Sequence, residues 1–126
     1  MVAEYLRTRG AAEHVVKSGL VGLIRSWERV VDEVESGSYQ WGMDDWLNDI
    51  DIRTLVHEVV QALPGEVVLG LMRRLNLADW RFKEATLSAG GCVWGDDNAR
   101  DHGWTRNTHW WLYRVPPTAE GLDPRD

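Results

Sequence analysis

Apolar residues recur at steps of three and four through the first half of the chain. Leu20, Leu23, Ile24, Trp27, Val30, Val31 and Val34 form one stripe, and Arg25, Glu28, Arg29, Asp32, Glu33 and Glu35 take the other positions. That spacing predicts an amphipathic helix of about 18 residues, with Ser18 as its N-cap and Ser36-Gly37 as its stop. Residues 1–17 have weaker periodicity, broken by Gly10, and predict a short or frayed helical arm. A second stripe, Ile52, Leu55, Val56, Val59 and Leu63, predicts the central helix, about 52–63, closed by Pro64-Gly65. In front of it, Asp44 or Asp45 is suited to cap a short turn through Asn48. Asp49 or Asp51 is suited to cap the helix, because a carboxylate accepts the free N–H groups of a first turn.

From Glu66 the apolar phase holds to Leu75 and then shifts near Asn76-Leu77. Two helices, about 66–75 and 78–87, or one kinked helix, account for the shift. After Ser88 the pattern becomes turn-rich. Thr108–Val115 is dense in aromatic and β-branched residues, which predicts a strand with Trp111, Tyr113 and Val115 on one face and Trp110, Leu112 and Arg114 on the other. Cys92-Val93-Trp94 is its candidate hairpin partner. The expected fold is α+β and mainly helical: three to four helices around the central one, with a C-terminal aromatic β-hairpin or strand closing an open side. Residues 1–117 are expected to make one domain and 118–126 a disordered tail.

Composition narrows the function classes. The chain has 126 residues, long enough to bury a core without staples. No apolar run is long enough to span a bilayer, and the N-terminus lacks a signal-peptide pattern, so the expected location is cytoplasmic. A lone cysteine, Cys92, fits a reducing compartment and leaves no Cys-based zinc cage. The net charge is −6, and Glu28–Glu58 holds nine acids against two arginines. A nucleic-acid partner is not expected, because no basic stripe is present to displace counterions. Arg73, Arg74, Arg81 and Lys83 are the most basic cluster, and pairing with the acidic first half is their expected role.

Eight tryptophans accompany a single phenylalanine. Rings with a polar N–H suit places where one edge is dry and the other meets a partner. Tyr39, Trp41 and Trp46 stand beside Asp44, Asp45, Asp49 and Asp51, the composition of an interface with an aromatic anchor and a charged rim. The expected function is a non-catalytic interaction module that meets a basic protein on this surface. Immunity proteins and antitoxins use that design for fast electrostatic capture, and the likeness is one of charge and size alone. The alternative is a small enzyme or ligand-binding domain whose pocket is lined by Cys92, Trp94, Trp104 and Trp111, with His102 or His109 as the acid-base group. A third reading is an oligomer whose tryptophans meet across a symmetric interface. No histidine spacing matches a zinc motif, Asp96–Asp101 lacks the periodicity of a calcium loop, and phosphate-loop and dinucleotide fingerprints are absent, so no metal or cofactor is expected.

Overall fold

The computed structural model describes residues 13–37 and 42–117. Three long helices dominate: α1 over Glu13–Glu35, α2 over Met43–Ala62 and α3 over Gly65–Ala85. A seven-residue helix, α4, follows at Asp96–His102, and a 3-10 helix at Trp110–Tyr113 leads into a short strand. Two-residue strands β1 (Leu87–Ser88) and β2 (Arg114–Val115) pair antiparallel, with Leu87 opposite Val115 and Ser88 opposite Arg114. The fold is therefore mainly helical α+β. Tyr39, Trp41 and the expected tail 118–126 lie outside the described residues.

The first stripe forms α1, and its buried face is Leu20, Ile24, Trp27, Val30, Val31 and Val34. The helix begins at Glu13, earlier than Ser18, and stops where expected: Gly37 has φ 73 and its N–H returns to the Val34 carbonyl. α1 packs against both α2 and α3, and the 3-10 segment packs on α2.

α2 is one continuous helix, in place of a short turn followed by a helix from residue 52. Asp44 and Asp45 lie in its first turn, where negative charge suits the dipole, while Asp49 and Asp51 lie further along the helix, away from its start. Its buried face is Trp46, Leu47, Ile50, Arg53, Val56 and Val59. An arginine stands in the middle of that stripe because it has a partner inside. Arg53 Nε donates to Oδ1 and Nη2 to Oδ2 of Asp79 in α3, at 2.9 Å each, and Trp27 Nε1 of α1 also donates to Oδ1 at 3.0 Å. One carboxylate thus ties all three long helices.

α3 is also continuous, which corrects the expected break near Asn76. Leu75, Ala78 and Phe82 carry the buried face straight through, at steps of three and four. The apparent phase shift came from Leu77 and Trp80, which point outward and are 57% and 59% exposed. Two of the four basic residues pair with α1 as expected. Arg74 holds Glu28 through two nitrogens, and Arg81 holds Asp32 and Glu35.

The C-terminal segment departs most from expectation. Thr105 and Thr108 exchange side chain-to-backbone hydrogen bonds at 3.1 Å, and His109 N–H reaches the Thr105 carbonyl at 2.8 Å, so the chain turns tightly there. Trp111 and Leu112 are then both buried, which an edge strand with one open face would not allow, because neighbouring side chains would face opposite ways. A 3-10 turn allows it. β2 pairs with β1 rather than with Cys92–Trp94, although Val93 N–H still reaches the Leu112 carbonyl at 2.7 Å.

Candidate functional site

Of the three aromatic residues expected on the acidic surface, Trp46 is the one among the described residues, and it is not on the surface. Trp46 is fully buried: it stacks near Phe82, with centroids 5.7 Å apart, and Nε1 donates to the Arg114 carbonyl at 3.0 Å. An indole sealed in the core offers nothing to a second molecule. Asp44 and Asp45 are exposed and Asp49 is half-buried. Asp51, on the side of α2 away from Asp49, enters a cleft.

That cleft has a volume of about 500 Å3 and lies between α2 and the α4 region. Asp51, Thr54, Leu55 and Glu58 form one wall, at steps of three, four and seven along one face of α2. Trp94, Asn98, His102 and Trp104 form the other. Here too the spacing is helical: Trp94, Asn98 and His102 are four apart, and Asn98 Nδ2 donates to the Trp94 carbonyl at 2.7 Å while His102 Nδ1 meets the Asn98 carbonyl at 2.9 Å.

Two glycines set the second wall. Gly95, with φ 96, turns the chain into α4, and Gly103, with φ 72, ends it in the left-handed region. Past Gly103, Trp104 N–H returns to the Ala99 carbonyl at 2.9 Å, which folds Trp104 back beside the helix. Its ring stacks on His102 with centroids 4.4 Å apart and planes 12° from parallel.

The two walls are tied by Trp94 Nε1, which donates to Asp51 Oδ1 at 3.1 Å. Burial pushes the Asp51 carboxyl above its ordinary range, against the pull of that hydrogen bond. Burial also pushes Glu58 up, and the charge of Asp51 adds to the effect. Among the described residues that line the cleft there is no lysine or arginine. His102 is exposed at the rim.

Beneath this wall lies a ring cluster. His57 and His109 have centroids 4.8 Å apart, and Trp111 is within 5.3 Å of both. Trp111 Nε1 donates to Thr54 at 2.8 Å, and the Arg53 guanidinium carbon sits 4.5 Å from the Trp111 ring centroid. Burial holds both imidazoles below their ordinary value; Arg53 adds to it for each, and His57 for His109.

The residues of the alternative pocket thus divide. Trp94, His102 and Trp104 line the cleft, while Trp111 and His109 belong to the packed layer behind it. Cys92 is fully buried, and burial pushes its thiol up, the opposite of what a thiolate nucleophile requires. Among the described residues no cluster of three or more His, Cys, Asp or Glu is placed to hold a metal, and no helix is long and apolar enough to cross a membrane. Asp51 and Glu58 were legible as acids, and their seven-residue spacing was the signal that they share a face. Leu55, read as part of the apolar stripe, shares that spacing, and Asn98 carried no such signal.

No family model, curated protein or solved structure matches this chain.

Proposed function

We propose that the protein is a non-catalytic binding module that takes a cationic side chain, lysine or arginine, of a basic protein into the cleft between α2 and α4. The observation that carries this reading is the meeting of two carboxylates, Asp51 and Glu58, with two indoles, Trp94 and Trp104, around one space. Cavities of a few hundred Å3 suit a single side chain or small ligand. Indole faces attract a cation by about 0.5–2 kcal/mol. A charge-assisted hydrogen bond to a carboxylate contributes about 1.5–3 kcal/mol. The same two carboxylates, disfavoured as anions when the cleft is empty, become favoured once a positive charge enters.

The patch on α1 supports the choice of the cleft over the acidic helix face. Glu28, Asp32 and Glu35 are already held by Arg74 and Arg81 of the same chain. Catalysis by Cys92 has no support in its burial.

The test is a titration with tri-arginine and tri-lysine peptides, with tri-glutamine as the neutral control, read by tryptophan fluorescence. The basic peptides are expected to bind, more weakly as salt rises. Asp51→Asn with Glu58→Gln is expected to weaken them at least about tenfold, the size of a lost charge-assisted contact. Equal binding by that double variant, or no binding of either basic peptide, refutes the proposal.

A further inference from the structure

We propose that a second site, opposite in charge to the cleft, lies at the C-terminal end of α3: a small hollow lined by Lys83, Arg106 and Arg114 that binds a phosphoryl group. The hollow has a volume of about 180 Å3, and Ser88, Trp110 and Tyr113 complete its lining. Sites for larger ligands run from about 300 Å3 upward, so this one suits a single small group.

The fold gathers these residues from separate elements. Lys83 lies in the last turn of α3, and the pairing of β1 with β2 sets Ser88 opposite Arg114. Trp110 and Tyr113 are three apart in the 3-10 helix, a spacing that brings side chains into line. Arg106 donates from Nη2 to the Ala89 carbonyl at 2.9 Å, and its guanidinium carbon sits 4.8 Å from the Tyr113 ring centroid. The Lys83 ammonium sits 4.4 Å from the Trp110 ring centroid. Arg114 is held most firmly: Nε donates to Thr86 Oγ1 at 2.6 Å, and Nη2 to the Thr86 and Lys83 carbonyls at 2.8 and 3.1 Å. These contacts engage Nε and Nη2 and leave Nη1 for a further acceptor.

Charge decides the ligand. Among the described residues Arg53, Arg74, Arg81 and Arg100 each stand against a carboxylate, whereas Lys83, Arg106 and Arg114 pair with none. Burial pulls the Arg114 guanidinium below its ordinary value, an effect that a bound anion would reverse. A helix C-terminus attracts cations, but it carries only about half a negative charge, too little to account for three of them. A carboxylate would bring one charge and two oxygens. A phosphate monoester brings about 1.5 to 2 negative charges and three acceptor oxygens, one for each cationic group. Guanidinium groups favour it further through their paired N–H donors. The net charge of −6 opposes any anion at long range, yet at physiological salt that repulsion is screened beyond about 8 Å.

An NMR titration of the full chain, read at the indole N–H of Trp110 and the amides of Ser88 and Arg106, tests the proposal. The probes are inorganic phosphate and N-acetyl-phosphoserine amide, with acetate at matched ionic strength as the control. Saturable shifts are expected at millimolar concentrations of a phosphorylated probe, with acetate at least about tenfold weaker. The tighter of the two probes identifies the source, free phosphate or a phosphorylated side chain, and either result supports the site. Arg114 also ties β2 to α3, so the test rests on Lys83 and Arg106, whose side chains are exposed. Lys83→Gln and Arg106→Gln are each expected to weaken binding at least about threefold, and together at least about tenfold. The absence of a saturable shift with both phosphorylated probes, as when the chain's own carboxylates fill the hollow, overturns the proposal. So does acetate binding as tightly as phosphate, or unchanged binding in the double variant. Asp51→Asn with Glu58→Gln is expected to bind phosphate as the wild type does, which keeps this hollow separate from the cleft.

Discussion

Asp79 receives one hydrogen bond from α1 and two from α2, so three helices depend on a single carboxylate. Arg53, opposite it, is 7% exposed, and its Nη1 finds no hydrogen-bond partner among the described residues. The Trp111 face beside it takes part of that charge. Removing one member of a buried ion pair leaves the other uncompensated, which costs about 3–5 kcal/mol. Asp79→Ala is therefore expected to lose about 3 kcal/mol or more in urea unfolding. Arg53→Met combined with Asp79→Leu should lose clearly less than Asp79→Ala, because no charge is left stranded. A loss below about 1 kcal/mol for Asp79→Ala would mean that water reaches the site and the pair ties nothing. Neither residue was legible as a core pair. Arg53 interrupts the apolar stripe of α2, and only its partner 26 residues later explains why it faces inward.

At the scale of elements, α4 is the weakest support of the cleft, since seven residues form too short a helix to stand alone. Its end depends on Gly103. A Cβ there would touch nothing within 4 Å, so Gly103→Ala isolates the backbone cost of φ 72, about 1 kcal/mol. A drop of about 4 °C or more in melting temperature is expected, together with weaker tri-arginine binding as Trp104 leaves its place beside His102. Gly42→Ala is the control: φ is −78 there and the space is open, so no comparable loss is expected. Binding unchanged in Gly103→Ala would show that the turn does not position the wall. The long helices were legible because an apolar stripe at helical spacing needs nothing from the rest of the chain. Their joins were less so. Leu77 and Trp80 mimicked a phase shift because sequence does not distinguish an apolar residue facing solvent from one facing the core. The aromatic run before Val115 read as a strand by propensity, and the turn made by Thr105 and Thr108 overrode it. Of the site, Trp94, His102 and Trp104 were among the pocket residues singled out, whereas Asp51 had been assigned to another surface. Which side of α2 it faces depends on the phase set by Arg53 and Trp46; Trp46 was expected at the surface, and Arg53 had no expected place.

For the molecule as a whole, acid acts on two sets of groups in opposite directions. The chain carries a net charge of −6, so protonation relieves general self-repulsion and favours the compact state. Asp51 and Glu58 act in the same direction: their carboxyls are raised in the folded chain, which takes up protons earlier than the unfolded one and gains stability as pH falls toward the carboxylate range. His57 and His109 act the other way. Both are held below the ordinary imidazole value of about 6.5. Below that pH the unfolded chain binds protons that the folded chain refuses, so their contribution is present above about 6.5 and lost as pH drops through the lowered folded values. The histidines titrate first on the way down from neutrality. Melting temperature is therefore expected to fall between about pH 7.5 and 5.5, and to fall less in His57→Gln with His109→Gln. Neither net charge nor the cleft carboxylates produce a loss in that interval. An equal fall in the double variant would place its cause elsewhere and show that water reaches the two imidazoles behind Trp104.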